Sequence, residues 1–150
     1  MTVLLLGCLH KPPAEVLPDE HVGAFKIEAF GQTFAGVGVF AEDEDDLVFQ
    51  ALTPAGTALF TVRADRESTT VQAPDPEMTA LLERLPWYRD IALVTRWRCA
   101  EAVCSTETGT LRSTGDRWTY RGDGGKATVQ YGEWIVVNDP RRRYTLTVAP

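Results

Sequence analysis

At 150 residues and 16.6 kDa the chain has the length of one domain with a core of its own. Its hydrophobic fraction of 44% and charged fraction of 24% are those of an ordinary globular protein. A net charge of −6, from 21 acidic and 15 basic residues, argues against nucleic acid, which would need a basic stripe along the surface.

The chain opens with Val3-Leu4-Leu5-Leu6-Gly7-Cys8, an apolar run ending in a small residue and a cysteine. It lacks the basic n-region and the full apolar length of a secretory signal. Leu5-Leu6-Gly7-Cys8 nevertheless resembles the bacterial lipobox, in which a signal is cut before the cysteine and that cysteine is lipidated. On this reading the true start lies upstream of Met1, residues 1–8 are a signal remnant, and Cys8 carries the lipid anchor. On the alternative, the run is a short buried strand and Cys8 a small hydrophobe. Residues 9–22 follow as an extended linker, with Pro12, Pro13 and Pro18 among alternating charges, and residues 23–150 form the domain.

From Phe25 onward short extended segments alternate with turn signals, as in an antiparallel all-β domain. Ala24 to Ala41 is lightened by Gly36 and Gly38, whose spacing implies strong curvature or close approach of another element. Glu42-Asp43-Glu44-Asp45-Asp46 reads as a solvated hairpin tip, because the ligand spacing of a calcium loop is missing. Leu47 to Leu52, Ala58 to Ala64 and Thr69 to Ala73 are the next strands. A helix is then expected over Pro76 to Leu85, where Met78, Leu81, Leu82 and Leu85 fall on one face at i, i+3, i+4 and i+7. Asp75 caps it, Pro76 suits its first position, and Pro86 stops it.

After the helix, Ile91 to Cys99 reads as a strand with Ile91, Leu93, Trp97 and Cys99 on one face, and Val103 to Arg112 as its return. Cys99 and Cys104 would face each other across that hairpin and form a structural disulfide, with free thiols as the alternative. A zinc site would need two more ligands, and His10 and His21 are placed in or near the linker, so no metal or cofactor is expected. The last third alternates most cleanly, through Trp118 and Tyr120, then Ala127, Val129 and Tyr131, then Trp134 to Val137, and finally Tyr144, Leu146 and Val148. Arg141-Arg142-Arg143, after Asn138-Asp139-Pro140, reads as a solvated turn. About nine or ten strands in one meander should curl into an incomplete barrel with a concave apolar face, which the one helix covers as a lid.

Phe49-Gln50-Ala51-Leu52-Thr53-Pro54-Ala55-Gly56-Thr57-Ala58-Leu59-Phe60 resembles the strand–turn–strand segment of bacterial lipoproteins related to the carrier and receptor LolA and LolB. The stretches Ala127 to Tyr131 and Tyr144 to Val148 are similar to that family's closing strands, and the lipobox-like Cys8 matches its lipidated members. The resemblance implies an incomplete β-barrel with a helical lid, a cavity for acyl chains, and, with Leu9 after the cysteine, delivery to the outer membrane facing the periplasm. A second lid helix and the receptor's exposed apolar loop have no counterpart in the sequence.

The leading expectation is a non-enzymatic binder of lipid or lipoprotein acyl chains, lined by Phe49, Phe60, Val62, Trp97, Trp118, Tyr120 and Val129 from strands. Met78, Leu81, Leu82 and Leu85 would line it from the helix. Burial of acyl chains needs apolar area, at about 0.8 kcal/mol per methylene, rather than polar chemistry. Against this stands the reading that these residues are packed core, leaving a structural or assembly lipoprotein that presents its domain to an envelope protein partner. No catalytic set is legible: Asp116, Asp123 and Glu133 all lie in turns.

Overall fold

Apolar side chains at every second position give one continuous inner face to eleven strands, and the computed structural model, which describes residues 20–150, pairs all eleven antiparallel in one sheet. The first five are β1 (Glu20–Ala29), β2 (Gln32–Asp43), β3 (Asp46–Leu52), β4 (Ala58–Ala64) and β5 (Thr69–Gln72). Two helices follow, α1 (Pro76–Leu82) and α2 (Trp87–Thr95). The rest are β6 (Val103–Ser105), β7 (Gly109–Ser113), β8 (Trp118–Gly122), β9 (Ala127–Tyr131), β10 (Ile135–Asp139) and β11 (Tyr144–Val148). Their order is β5-β4-β3-β2-β1-β11-β10-β9-β8-β7-β6, two meanders joined where β1 pairs with β11. The edges β5 and β6 do not pair with each other, so the sheet is not closed into a barrel. Among the described residues no helix is long and apolar enough to cross a membrane.

Four details differ from the sequence expectation. β1 begins at Glu20, so residues 20–22 are sheet rather than linker, and His21 Nε2 lies 2.9 Å from the Ala149 carbonyl oxygen across the sheet. The stretch from Val103 to Arg112 is two strands, not one arm. The Thr106 hydroxyl accepts from the Thr108 and Gly109 amides and turns the chain there. The amphipathic helix ends at Leu82, its last turn tightened by the Arg84 and Leu85 amides donating to the Leu81 and Leu82 carbonyls. Finally, Ile91 to Thr95 is helix, not strand.

That last difference has a plain cause. Every residue of α2 from Trp87 to Val94 is buried, Arg89 and Asp90 included, and the short apolar run from Ile91 to Val94 taken alone reads equally as strand. What fixes the helix is tertiary. Arg98 donates to the Leu93 and Val94 carbonyls at 2.8 Å each, and the Tyr131 hydroxyl donates to Leu93 at 2.7 Å, satisfying the C-terminal carbonyls. The Arg98 guanidinium also lies 4.0 Å above the Tyr131 ring. Burial pushes the Tyr131 hydroxyl up to about 12, the nearby Arg98 acting in the opposite direction, so it remains a donor.

The core sits between the inner face of the sheet and α2. Phe25, Phe40, Phe49 and Phe60 come from the first meander, and Phe49 stacks on Trp87 at 5.5 Å between ring centres. From the second meander Tyr120 stacks on Trp97 at 5.5 Å. Both glycines singled out in β2 mark close approach. A Cβ on Gly36 would collide with the Leu52 carbonyl oxygen, and one on Gly38 would lie 2.7 Å from the Phe49 ring. Cys99 and Cys104 are joined by a disulfide with Cα atoms 5.7 Å apart, which ties the segment after α2 to the edge strand β6.

Candidate functional site

Most of the residues expected to line a cavity are brought together in one buried cluster. Phe49, Val62, Leu82, Trp97, Tyr120 and Val129 are 0% exposed, Phe60 1% and Leu85 3%. Met78 and Trp118 are half-buried and packed against the same core, and Leu81 is half-buried on α1. The concavity is occupied chiefly by α2, which contributes Trp87, Ile91, Leu93 and Val94. Trp87 lies against both Phe49 and Phe60, and its indole donates to the Leu82 carbonyl at 2.7 Å. The helix expected to act as lid therefore abuts a second, more deeply buried helix. Cys8 lies outside the described residues.

The polar chemistry gathers where α2 begins, at a mouth of the curled sheet that no sequence motif marks. Arg89 and Asp90 follow Trp87-Tyr88, yet their side chains are 1% and 0% exposed. Arg89 Nε donates to Asp90 Oδ1 at 2.8 Å and Nη1 to Asp139 Oδ2 at 3.0 Å. Nη1 also reaches the Gly124 and Gly125 carbonyls at 3.0 and 3.3 Å. Arg142 completes the group, donating to Asp139 Oδ2 at 2.7 Å and to Gly124 at 2.8 Å. Two guanidinium and two carboxylate groups balance. Asp139 and Arg142, expected in a solvated turn, are instead a buried carboxylate and its partner.

This cluster holds three separate parts of the chain together: the start of α2, the turn between β8 and β9, and the end of β10. Burial drives the Asp139 carboxyl up, but the hydrogen bonds from Arg142 and the charge of Arg89 outweigh it, leaving its pKa below the ordinary value. For Asp90 burial prevails over Arg89 and the pKa ends above the ordinary value. Arg89 Nη2, Asp90 Oδ2 and the Tyr144 hydroxyl have no hydrogen-bond partner among the described residues. Burial raises the Tyr144 hydroxyl well above its ordinary value, and the neighbouring Asp90 charge adds to this.

A second group rims the same mouth. Arg96, just past α2, pairs with Glu107 of the β6–β7 turn and with Glu42 of β2 at 2.6 and 2.8 Å. Arg66 of the β4–β5 turn donates to the Glu107 carbonyl at 2.8 Å, bridging the loops beside the two unpaired sheet edges. A cleft of about 320 Å³ opens between them, floored by Trp87, Tyr88 and Arg89. A neighbouring cleft of about 460 Å³ is lined by Glu42, Glu44, Asp45, Asp65, Glu67 and Glu107 with Arg66, Arg96 and Tyr88. Both linings are mainly polar, and among the described residues no group of three or more His, Cys, Asp or Glu is arranged to hold a metal.

Burial raises the Glu107 carboxyl, and the Arg96 hydrogen bond and charge more than reverse this, so its pKa ends below the ordinary value. A carboxylate depressed in the folded state contributes stability that is present above its unfolded pKa, about 4.3, and lost as pH falls through the folded value. The pair is part exposed, with side chains 26% and 36% accessible, so the effect stays below about 1 kcal/mol. Glu107→Gln should accordingly flatten the loss of stability below about pH 5, read as urea midpoints against pH. Parallel curves for the two proteins would show that the pair contributes nothing.

No protein-family model matches the chain, and no curated protein matches it in sequence. What the geometry defines is a curled, unclosed eleven-stranded sheet with a buried helix packed on its inner face and a charged mouth at the helix start.

Proposed function

We propose that the chain is a non-enzymatic envelope lipoprotein of the LolA/LolB-like kind, anchored at Cys8, whose domain is a filled scaffold presented to an envelope protein partner. The observation that carries the scaffold reading is Trp87. It occupies the concave face between Phe49 and Phe60, where the family resemblance implies an acyl-chain cavity. An acyl chain of about a dozen methylenes gains roughly 10 kcal/mol from full burial, but entry here would first require α2 to leave contacts of similar worth.

The test has two arms. Native mass spectrometry of protein purified from membranes should show no acyl lipid beyond a covalent anchor, and a fluorescent fatty acid should not bind. Stoichiometric non-covalent lipid would replace the scaffold by the carrier. For the anchor, the chain is expressed from its genomic start and labelled with palmitate. Label should enter the native protein and not the Cys8→Ser variant, which should leave the membrane fraction; membrane retention of that variant would sink the anchor.

A further inference from the structure

The outer face of the second meander carries a cluster of cations that the core and the mouth do not use. In β7 and β8 the inward residues are Leu111 and Tyr120, so Thr110, Arg112, Thr119 and Arg121 point to the opposite side. Thr110 sits opposite Arg121 in register and Arg112 opposite Thr119. With Thr114 and Lys126 these residues line a shallow depression of about 500 Å³. Arg112, Arg121 and Lys126 are exposed, and none enters an ion pair or side-chain hydrogen bond among the described residues. By contrast Arg63, Arg89, Arg96 and Arg142 are each matched to carboxylates. In a chain of net charge −6, three cations unpaired among the described residues share one face, with Asp116 at its margin beside Gln130.

We propose that this face docks on an anionic phospholipid surface, with the guanidinium, ammonium and threonine hydroxyl groups taking the headgroup phosphates. Two features favour a bilayer over a soluble polyanion. Val103, on the edge strand β6, lies directly opposite Arg112 in register and is 43% exposed, placing an apolar side chain beside the cations. The second feature rests on the lipid-anchor reading. Eleven residues separate Cys8 from Glu20 and span at most about 40 Å when extended, so an anchored domain stays within reach of the membrane. Three cations are fewer than a free polybasic segment uses, which makes the contact one that orients a tethered domain. At about 0.1 M salt charges act over roughly 10 Å, so the face is felt locally.

The experiment uses the full chain with Cys8→Ser, so that its outcome does not depend on lipidation. Co-sedimentation is measured at about 0.1 M salt with vesicles of phosphatidylcholine alone and with an equal share of phosphatidylglycerol. Binding to the anionic vesicles alone is expected, with partitioning lowered about fivefold for each of Arg112→Gln, Arg121→Gln and Lys126→Gln, and on the order of a hundredfold for all three. Lys26→Gln, which removes a cation from β1, should bind as the parent does, and circular dichroism checks that every variant is folded. Equal binding to both vesicle types, or a folded triple variant that binds like the parent, would overturn the proposal. So would tight binding to heparin without binding to vesicles, which would assign the face to a soluble polyanion.

Discussion

Replacing Arg89 with methionine should destabilise the domain by about 3–5 kcal/mol, and lower its melting temperature by about 10–20 °C. The lost side chain is the only donor to Asp90 Oδ1 among the described residues and one of two cations serving Asp139. Asp90 is 0% exposed, so without Arg89 its charge is buried and unpaired. Such a loss greatly exceeds that from breaking a surface pair, which costs about 0–1 kcal/mol. Two further readouts separate a charge effect from lost packing. Adding Asp90→Asn to Arg89→Met should recover part of the loss, since both charges are then gone.

The pH dependence carries the same information. Asp90 already has a raised pKa in the fold, with burial as the main cause. A carboxyl whose folded pKa is raised takes up a proton more readily folded than unfolded, so stability improves as pH falls through the folded value. Removing Arg89 raises that value further, and the deficit of Arg89→Met relative to the native chain should narrow from neutral pH toward about pH 4. A deficit that is constant with pH, and strictly additive with Asp90→Asn, would show that Arg89 acts by packing alone.

Trp87→Ala should cost a similar amount, about 3–5 kcal/mol, by opening a hole where α2 meets β3 and β4 over the concave face. The space left is on the order of 150 Å³, a size that stays dry and admits small apolar molecules. Indole should therefore raise the melting temperature of Trp87→Ala while leaving the native chain unchanged, since it restores both the ring and the donor to the Leu82 carbonyl. Stabilisation of the native chain by indole would mean that space already exists beside Trp87, and would favour the carrier over the scaffold. If the variant is destabilised but indole has no effect, the core has collapsed around the gap. The filled interior would then be less rigid than its packing implies.

Much of the sheet was legible because period two is a local property. Tyr120, Val129, Val137, Leu146 and Val148 announce an inner face from their neighbours alone, and all are buried. The N-terminus of α1 was equally legible, since Asp75 caps it with a 2.9 Å bond to the Glu77 amide and Pro76 occupies the first turn. The helix α2 was not, because its apolar run from Ile91 to Val94 is too short to tell helix from strand and its C-terminal partners, Arg98 and Tyr131, act through contacts the sequence does not order. The buried cluster was hidden for a related reason. Arg89 and Asp139 are fifty positions apart, and each looks like a surface charge beside other surface charges until the sheet curls.

The sequence by itself determined that the chain is a one-sheet antiparallel domain with a capped amphipathic helix in its middle, since alternation, turn residues and caps act within a few positions. Only the tertiary structure decided what fills the hollow and what closes its mouth. Those choices depend on which strands lie opposite one another once the sheet twists, so a second helix could be read as a strand, and a buried ion-pair cluster as a solvated turn.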